Sequence, residues 1–294
     1  MIKKHDFAIT LLFAFIFSLF LGTTAEAANT ETAIVSLKTF NNIPPEKPPF
    51  FQHKIMSHAL GGLEEKYIYS NALEGLEQSV SLGYKLIEVD LILTADDRLV
   101  ACHGWNEKTY HDTGVAYNPK NMVMTYEQFM NTKIQGKYTT IDATKMVEYL
   151  KEYPDLYFEF DLRTLDRNTS IKTAKAIVEV FRDNMNLLDR VLIQIGNPDM
   201  YEGFNSVHSF KYYQYFIHKS ELKNIDEVIL FCKTKGIVSV AARPEYLTDT
   251  LIKKLKFNHL SIIVHTIDDV QEARRWLEKG IDIVCTNFIT YEDL

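Results

Sequence analysis

Short apolar runs alternate with amphipathic stretches from residue 53 onward. The apolar runs are rich in β-branched and aromatic residues, which favour strands, and eight stand out: 54–59, 84–94, 156–164, 190–196, 212–218, 236–242, 260–266 and 282–287. Between them, apolar residues recur at helical spacing over 72–82, 143–152, 170–185, 221–235, 246–256 and 268–279. The last of these predicts a helix that is capped by Thr266 or Asp268 and ends at Gly280.

Strands that alternate with helices predict parallel βαβ units and therefore an α/β protein. Eight such strands in a chain of this length favour a closed (β/α)8 barrel of the TIM type over an open, doubly wound sheet. No glycine-rich phosphate loop follows the first strand, which disfavours a dinucleotide fold. Residues 104–140 are too long for a simple connection, so we predict a β-hairpin and loop insertion after the second strand.

The N-terminal region has a different composition. Lys3 and Lys4 precede an apolar run that is shorter than the roughly 20 residues of a spanning helix, and the triplet AEA follows at 25–27. This pattern is typical of a cleavable secretory signal, with an uncleaved N-terminal anchor as the alternative. We predict a secreted or periplasmic mature chain without a stable membrane span. The predicted divisions are a signal peptide (1–27), a proline-rich arm (28–52) and a barrel domain (53–294).

Charge and cysteine content exclude several classes of function. The formal net charge is −7 and no basic cluster is present, which argues against nucleic acid as a partner. The three cysteines, Cys102, Cys232 and Cys285, lie in apolar segments, so we expect buried thiols rather than disulfides. A zinc hydrolase is also disfavoured, because no H-x-H or H-E-x-x-H spacing occurs. The sequence makes no prediction about oligomeric state.

Two acids interrupt the most apolar strand, LIEVDLIL at 86–93. Glu88 and Asp90 share one face of it, since side chains alternate across a strand. Two carboxylates inside a barrel repel each other and lose hydration, so they must be protonated, hydrogen-bonded or bridged by a cation. Clustered oxygens favour one divalent cation, Mg²⁺ or Ca²⁺. The alternative is an ion pair with Arg or Lys from a neighbouring strand.

A third acid comes from the strand YFEFDLRT at 157–164, where Glu159, Asp161 and Arg163 share a face. We rank Asp161 above Glu159 as the third metal ligand, because only Asp161 has a basic residue two places further on. Arg163 could then bind a substrate phosphate while Asp161 binds the metal. An internal ion pair between Arg163 and an acid is the alternative.

Two histidines are placed near these acids. The turn TADDRL (94–99) predicts a β-hairpin, and an even-numbered loop would pair residue i with 193 − i, so that His103 lies opposite Asp90. A three-residue loop with a bulge would shift this register by one. His58 ends the first strand, at the barrel end where active sites are built. Two imidazoles beside a cation suit phosphodiester cleavage, in which one accepts and the other donates a proton.

These residues, in this order, resemble the glycerophosphodiester phosphodiesterase family, within the phosphatidylinositol phospholipase C-like group of barrels. The matching segments are SHALGG with His58, YSNALEG with Asn71, IEVD with Glu88 and Asp90, TADDRLVACHGW with His103, VHTIDD at 264–269 and GIDIVCTNF at 280–288. The similarity extends from about residue 53 to 290. It implies an exported, metal-dependent phosphoric diester hydrolase whose substrate is a small phosphodiester, such as a glycerophosphodiester, or a phospholipid.

The chain departs from the family pattern at three points. Ala59 stands where an Arg usually follows the first His, Gly104 stands where an Asp usually follows the second, and the E-x-K strand becomes D-x-R at Asp161 and Arg163. HALGG, HG, FDLRT and TNF also resemble the spider-venom sphingomyelinase D branch. Two alternatives therefore stay open, a lipid phosphodiesterase of that branch and a catalytically weak barrel that binds a polyol phosphate or glycan.

Overall fold

Eight parallel strands close into a barrel in the computed structural model, which describes residues 47–164 and 166–294. The described residues contain eleven strands, of which β3, β4 and β5 lie outside the barrel: β1 (Ile55–Ser57), β2 (Leu86–Leu93), β3 (Leu99–Ala101), β4 (Lys133–Ile134), β5 (Tyr138–Thr139), β6 (Tyr157–Leu162), β7 (Val191–Ile195), β8 (Tyr212–Phe216), β9 (Ser239–Ala242), β10 (Ser261–His265) and β11 (Ile283–Thr286). The barrel order is β1-β11-β10-β9-β8-β7-β6-β2, and β1 pairs with β2 to close it. All eight predicted barrel strands and the TIM-type fold are confirmed. The predicted signal peptide lies outside the described residues.

Helices cover the outside of the barrel. They are α1 (Leu73–Ser81), α2 (Glu107–Thr113), α3 (Tyr126–Met130), α4 (Thr144–Glu152), α5 (Arg167–Phe181), α6 (Pro198–Asn205), α7 (Ile225–Lys235), α8 (Asp249–Phe257) and α9 (Val270–Glu278). The six helices expected from periodicity are present, and α2, α3 and α6 are additional. Helix α6 has a signal that the periodicity missed, because Asn197 caps it and Pro198 occupies its first turn. In the described part of the chain, no helix has the length and apolarity to cross a membrane.

The two faces of each barrel strand pack differently. On β2, Ile87, Val89 and Leu91 point outward into the main core beneath the helices. The inward side chains at the lower end of the barrel, such as Leu86, form a second core with Phe50 and Phe51. These two phenylalanines belong to a 3₁₀ turn, Pro49–Gln52, that plugs the barrel where its strands begin. Burying each ring stabilises the fold by about 1.5–3 kcal/mol.

The β2–β3 hairpin has a different register from the one expected. The backbone N–H of Cys102 donates to the carbonyl of Asp90 at 3.0 Å, so Cys102 and not His103 lies opposite Asp90. The expected pairing of His103 with Asp90 is therefore wrong by one residue. The reason is the loop, which contains three residues (95–97) rather than an even number, with Asp97 in the left-handed region at φ 57°. His103 still reaches the barrel mouth, because it lies in the bend that follows β3.

The segment after this hairpin, from helix α2 to strand β5, forms a wall beside the barrel mouth. It carries α2, α3 and the small β4–β5 hairpin. The Trp105 indole donates to the carbonyl of Leu93 at 2.8 Å and packs edge-to-face on Phe129. The Tyr126 hydroxyl donates to Asp142 at 2.7 Å, just ahead of α4. These contacts attach the wall to β2 and to the base of the following helix.

Candidate active site

Three carboxylates converge at the end of the barrel where the strands finish. Strands β2 and β6 are parallel neighbours whose register places Glu88 beside Glu159 and Asp90 beside Asp161. One oxygen each from Glu88, Asp90 and Asp161 lies within 4.8 Å of the other two. The register therefore brings together the three acids chosen from the sequence, although they come from two separate strands.

Backbone and amide donors hold this cluster in place. The N–H of Ala59 donates to Oε2 of Glu88. The Asn71 amide donates to Oδ2 of Asp90 at 2.9 Å and accepts from the Asp90 N–H at 3.1 Å. Burial, followed by the charges of Asp90 and Asp161, raises the pKa of Glu88 well above its ordinary value. Burial and the charge of Asp161 also raise the pKa of Asp90. A cation between these oxygens would relieve the repulsion that adds to the effect of burial in both shifts.

Arg163 supplies positive charge beside the same cluster. Its Nη1 lies 2.8 Å from Oδ2 of Asp161 and 3.8 Å from Oδ1 of Asp90. The internal ion pair considered from the sequence is therefore present, but one guanidinium faces three carboxylates. The side chain also lines the open mouth, where a phosphate would find it accessible.

His58 is held by a chain of hydrogen bonds that crosses to β10 and β11. Its Nδ1 lies 2.9 Å from Oδ1 of Asn287, and the Asn287 amide donates to Oδ2 of Asp268 at 2.8 Å. Because that amide group already donates to Asp268, Oδ1 of Asn287 must accept, and Nδ1 of His58 must carry the proton. The neutral imidazole therefore keeps its lone pair on Nε2.

Sequence reasoning missed Asn287 and Asp268 as parts of this site. It considered Asp268 as a cap of helix α9, and that expectation is wrong, as is the alternative Thr266. The cap is Asp269, which accepts from the N–H of Glu272 at 2.7 Å. Asp268 instead accepts from both the side chain and the backbone of Asn287. The signal that could have distinguished Asp268 from Asp269 is the TNF segment (286–288) at the end of the last strand, whose polar side chains need a partner.

His103 lies across the barrel mouth from the hydrogen bonds that hold His58. One cavity of about 860 Å³ is lined by both histidines and by Asp90, Asp161 and Arg163. Burial lowers the pKa of His103, and the nearby charge of Asp90 opposes that shift. The ring of Tyr69 stands close to both imidazoles, with centroids 4.7 Å from His58 and 5.1 Å from His103. The structure thus places the two predicted catalytic histidines around one opening.

The model of the glycerophosphoryl diester phosphodiesterase family matches residues 62–291. The chain belongs to this family. It is therefore an enzyme, a phosphoric diester hydrolase, as the sequence resemblance implied. A search of curated protein sequences finds no match to this chain.

Solved structures of low sequence identity share the fold of this phosphodiesterase. A glycerophosphodiester phosphodiesterase from Parabacteroides distasonis is 18% identical with a TM-score of 0.64, covering 82% of this chain and 94% of its own. The Thermotoga maritima glycerophosphodiester phosphodiesterase is 19% identical with a TM-score of 0.60, and the match covers 80% of this chain and 95% of that one. A phosphodiesterase from Oleispira antarctica was solved with the product sn-glycerol-3-phosphate. It is 14% identical with a TM-score of 0.61, and the match covers 80% of this chain and 93% of that one.

A fourth acid of the phosphodiesterase lies one layer below the mouth. Glu159 is buried beside Glu88, and its Oε2 has no hydrogen-bond partner within the described residues. Burial and the charge of Asp161 raise the pKa of Glu159 to about 8. Its oxygens are not part of the converging set, which agrees with ranking Asp161 above it. The choice between the two as metal ligand stays a prediction.

The mouth of the phosphodiesterase carries a balanced set of charges. Its basic residues are Lys108, Arg163, Lys219 and Arg243, and its acidic residues are Asp90, Asp112 and Asp161. Glu88 and Glu159, directly below, bring the number of carboxylates to five. A bound divalent cation would therefore leave the opening with a net positive charge, which suits an anionic ligand.

Proposed function

We propose that this protein is an exported, metal-dependent glycerophosphodiester phosphodiesterase that uses His58 and His103 as an acid–base pair. The observation that carries the proposal is the placement of two imidazoles around the same opening as three converging carboxylates. Each element alone has a structural explanation. Together they supply a proton acceptor, a proton donor and a cation site within one cavity.

The donor set at Glu88, Asp90 and Asp161 fits a hard divalent cation, Mg²⁺ or Ca²⁺. All the converging atoms are carboxylate oxygens, which such cations prefer. Burial raises the pKa values of Glu88 and Asp90, and the charges of the neighbouring carboxylates raise them further, so a cation between them would be favourable. When bound, the cation would offset negative charge that develops on the phosphoryl oxygens.

The hydrogen bonds of His58 favour its role as the base. Its proton is held on Nδ1 by Asn287, so Nε2 can take a proton from the attacking water. His103 then donates a proton to the leaving alcohol oxygen. The anionic diester beside His103 would raise the pKa of that imidazole and so favour the protonated form that a donor needs. One water is consumed, and a phosphomonoester and an alcohol are released.

Arg163 is placed to bind the diester. Its guanidinium already lies beside Asp90 and Asp161, so a phosphate next to the cation would be within its reach. The polar lining of the mouth favours a small head group such as glycerol. The product in the Oleispira antarctica structure, sn-glycerol-3-phosphate, has this chemistry. A sphingomyelinase D-like or other phospholipid phosphodiesterase is the second candidate, supported by the HALGG, HG, FDLRT and TNF segments.

Turnover of defined diesters tests the proposal. The protein is stripped with EDTA and assayed with bis-p-nitrophenyl phosphate, glycerophosphocholine and glycerophosphoethanolamine, before and after adding Mg²⁺ or Ca²⁺. We expect no activity in EDTA, recovery with one of the metals, and release of glycerol phosphate. Sphingomyelin or lysophosphatidylcholine vesicles test the lipid candidate. Absence of hydrolysis of every diester with either metal would favour the polyol phosphate- or glycan-binding alternative.

The proposal of export rests on the sequence pattern of residues 1–27 and is tested separately. Expression of the full chain should give a mature protein outside the cytoplasm that begins near Ala28. Mass spectrometry of the secreted or periplasmic fraction measures this directly. A full-length protein held in the membrane would instead indicate an uncleaved anchor.

A further inference from the structure

The ring of Tyr69 lies between the imidazoles of His58 and His103. Its ring centroid lies 4.7 Å from that of His58, with the planes at 75°, and 5.1 Å from that of His103, at 72°. Both contacts are edge-to-face, the arrangement that aromatic rings prefer. A third group, the Lys108 ammonium, lies 5.9 Å from the same ring centroid. One side chain thus contacts both members of the proposed acid–base pair.

The backbone holds Tyr69 there in an unfavourable conformation. Its φ is 57°, in the left-handed region that is rare for a bulky residue, and Asn71 has φ 43°. The two residues that follow Tyr69 help to fix this shape. Ser70 Oγ donates to the carbonyl of Gly61 at 3.0 Å, and the Asn71 amide holds Asp90 at 2.9 Å. Such strain persists only where surrounding contacts determine it, and it concentrates at functional sites.

The two imidazoles differ in how else they are held. His58 is buried and is fixed through Asn287 and Asp268. His103 is only half-buried and lies in the bend after β3, whose pairing ends at Ala101. The Tyr69 ring therefore lies between a rigid imidazole and one on a less regular segment.

We propose that Tyr69 is a positioning residue whose ring fixes the separation and orientation of His58 and His103 across the bound diester. This inference rests on the proposed function, in which the two histidines exchange protons with the substrate. The ring acts through its shape rather than through its hydroxyl group. Removing it would let the His103 imidazole move, and a displacement of about 1 Å at a reacting group can cost about 100-fold in rate.

Two substitutions separate the ring from the backbone. Tyr69→Phe keeps the ring and removes only the hydroxyl. Tyr69→Asn removes the ring while keeping a residue that tolerates the left-handed conformation. We expect the Phe variant to retain kcat within a few-fold of the parent and the Asn variant to lose about 100-fold in kcat. KM should change far less, and the pH–rate profile of the Asn variant should lose the bell shape that the parent shows.

Tyr67 offers a matched control two residues away. Its ring stacks on Tyr138 at 5.8 Å rather than on an imidazole. Tyr67→Asn removes a comparable amount of packing from the same segment, so its melting temperature should fall while kcat stays near that of the parent. If Tyr69→Asn lowered only the melting temperature, or if Tyr69→Phe lost as much kcat as Tyr69→Asn, the proposal would be overturned.

A spectroscopic readout decides the geometry without turnover. Protons of both imidazoles should carry ring-current shifts from Tyr69 in the NMR spectrum of the EDTA-treated protein. These shifts should remain in Tyr69→Phe and disappear in Tyr69→Asn for both His58 and His103. Unchanged imidazole shifts in Tyr69→Asn would overturn the inference. If the parent hydrolysed no diester, the proposed function would fail, and this readout would still decide the role of the ring.

Discussion

Glu159 should make the metal-free protein less stable as the pH rises. Its folded-state pKa is raised from 4.5 to about 8 by burial and by Asp161. Between these two values the folded protein holds a proton that the unfolded chain has lost, so the free energy of unfolding falls as pH increases. Each pKa unit is worth about 1.4 kcal/mol, which gives a penalty of about 2 kcal/mol at pH 6 and about 5 kcal/mol above pH 8.

The substitution Glu159→Gln removes the titrating group and keeps the shape of the side chain. Urea unfolding in EDTA, followed by circular dichroism from pH 4.5 to 9, should show little difference between variant and parent at the acidic end. The variant should become progressively more stable than the parent, by up to about 5 kcal/mol above pH 8. Adding the preferred metal should reduce this difference, because a cation beside Glu88 stabilises the ionised form of Glu159 as well.

The control is Glu278→Gln, on the exposed surface of helix α9. Its stability relative to the parent should not vary with pH. The reasoning about Glu159 would be refuted if the difference between Glu159→Gln and the parent stayed constant across the pH range. A variant that was less stable than the parent above pH 8 would refute it as well, since that would mean that the ionised carboxylate has a favourable partner.

Three further predictions concern the site itself. Calorimetric titration should show much weaker metal uptake by Glu88→Gln and by Asp90→Asn, whereas unchanged uptake in both would indicate a cluster compensated by basic side chains alone. His58→Ala and His103→Ala should each lower kcat by about 10²–10⁴-fold with the fold retained, and the kcat of the double variant should be little lower. If His103→Ala lowered the melting temperature but not kcat, His103 would not be a catalytic residue. Asn287→Leu leaves the Nδ1 proton of His58 without a hydrogen-bond partner, at a cost of about 1–3 kcal/mol. Both kcat and stability to urea should therefore fall, and an unaltered kcat would contradict the assigned tautomer of His58.

The barrel strands could be predicted because their signal is local. A run such as 86–93 carries both its apolar character and its two inward acids within eight residues, so alternation alone places Glu88 and Asp90 on one face. The hairpin register could not be predicted in the same way. It depends on whether Asp97 adopts the left-handed conformation, and that single choice decides which residue lies opposite Asp90.

The parts of the site that sequence reasoning missed depend on contacts between distant residues. His58 and Asn287 are 229 positions apart and meet only because β1 and β11 are neighbours in the closed barrel. Asp268 and Asp269 are both suitable residue types for a helix cap. Only the position of Asn287 in the fold decides that Asp268 binds Asn287 while Asp269 caps helix α9. Tyr69 gave no signal, since a tyrosine beside a serine and an asparagine is ordinary in a loop.

The plug formed by Phe50 and Phe51 determines how far the chain can be shortened from its N-terminus. An expression clone that starts at residue 53, where the first strand begins in the sequence pattern, would leave the lower end of the barrel open to water. It would also lose the bond between Lys47 and the buried Asp282, and with it one of the two ammonium groups that compensate this carboxylate. Proteolytic trimming of the enzyme would meet the same limit. Each residue removed beyond Lys47 takes material out of the folded domain.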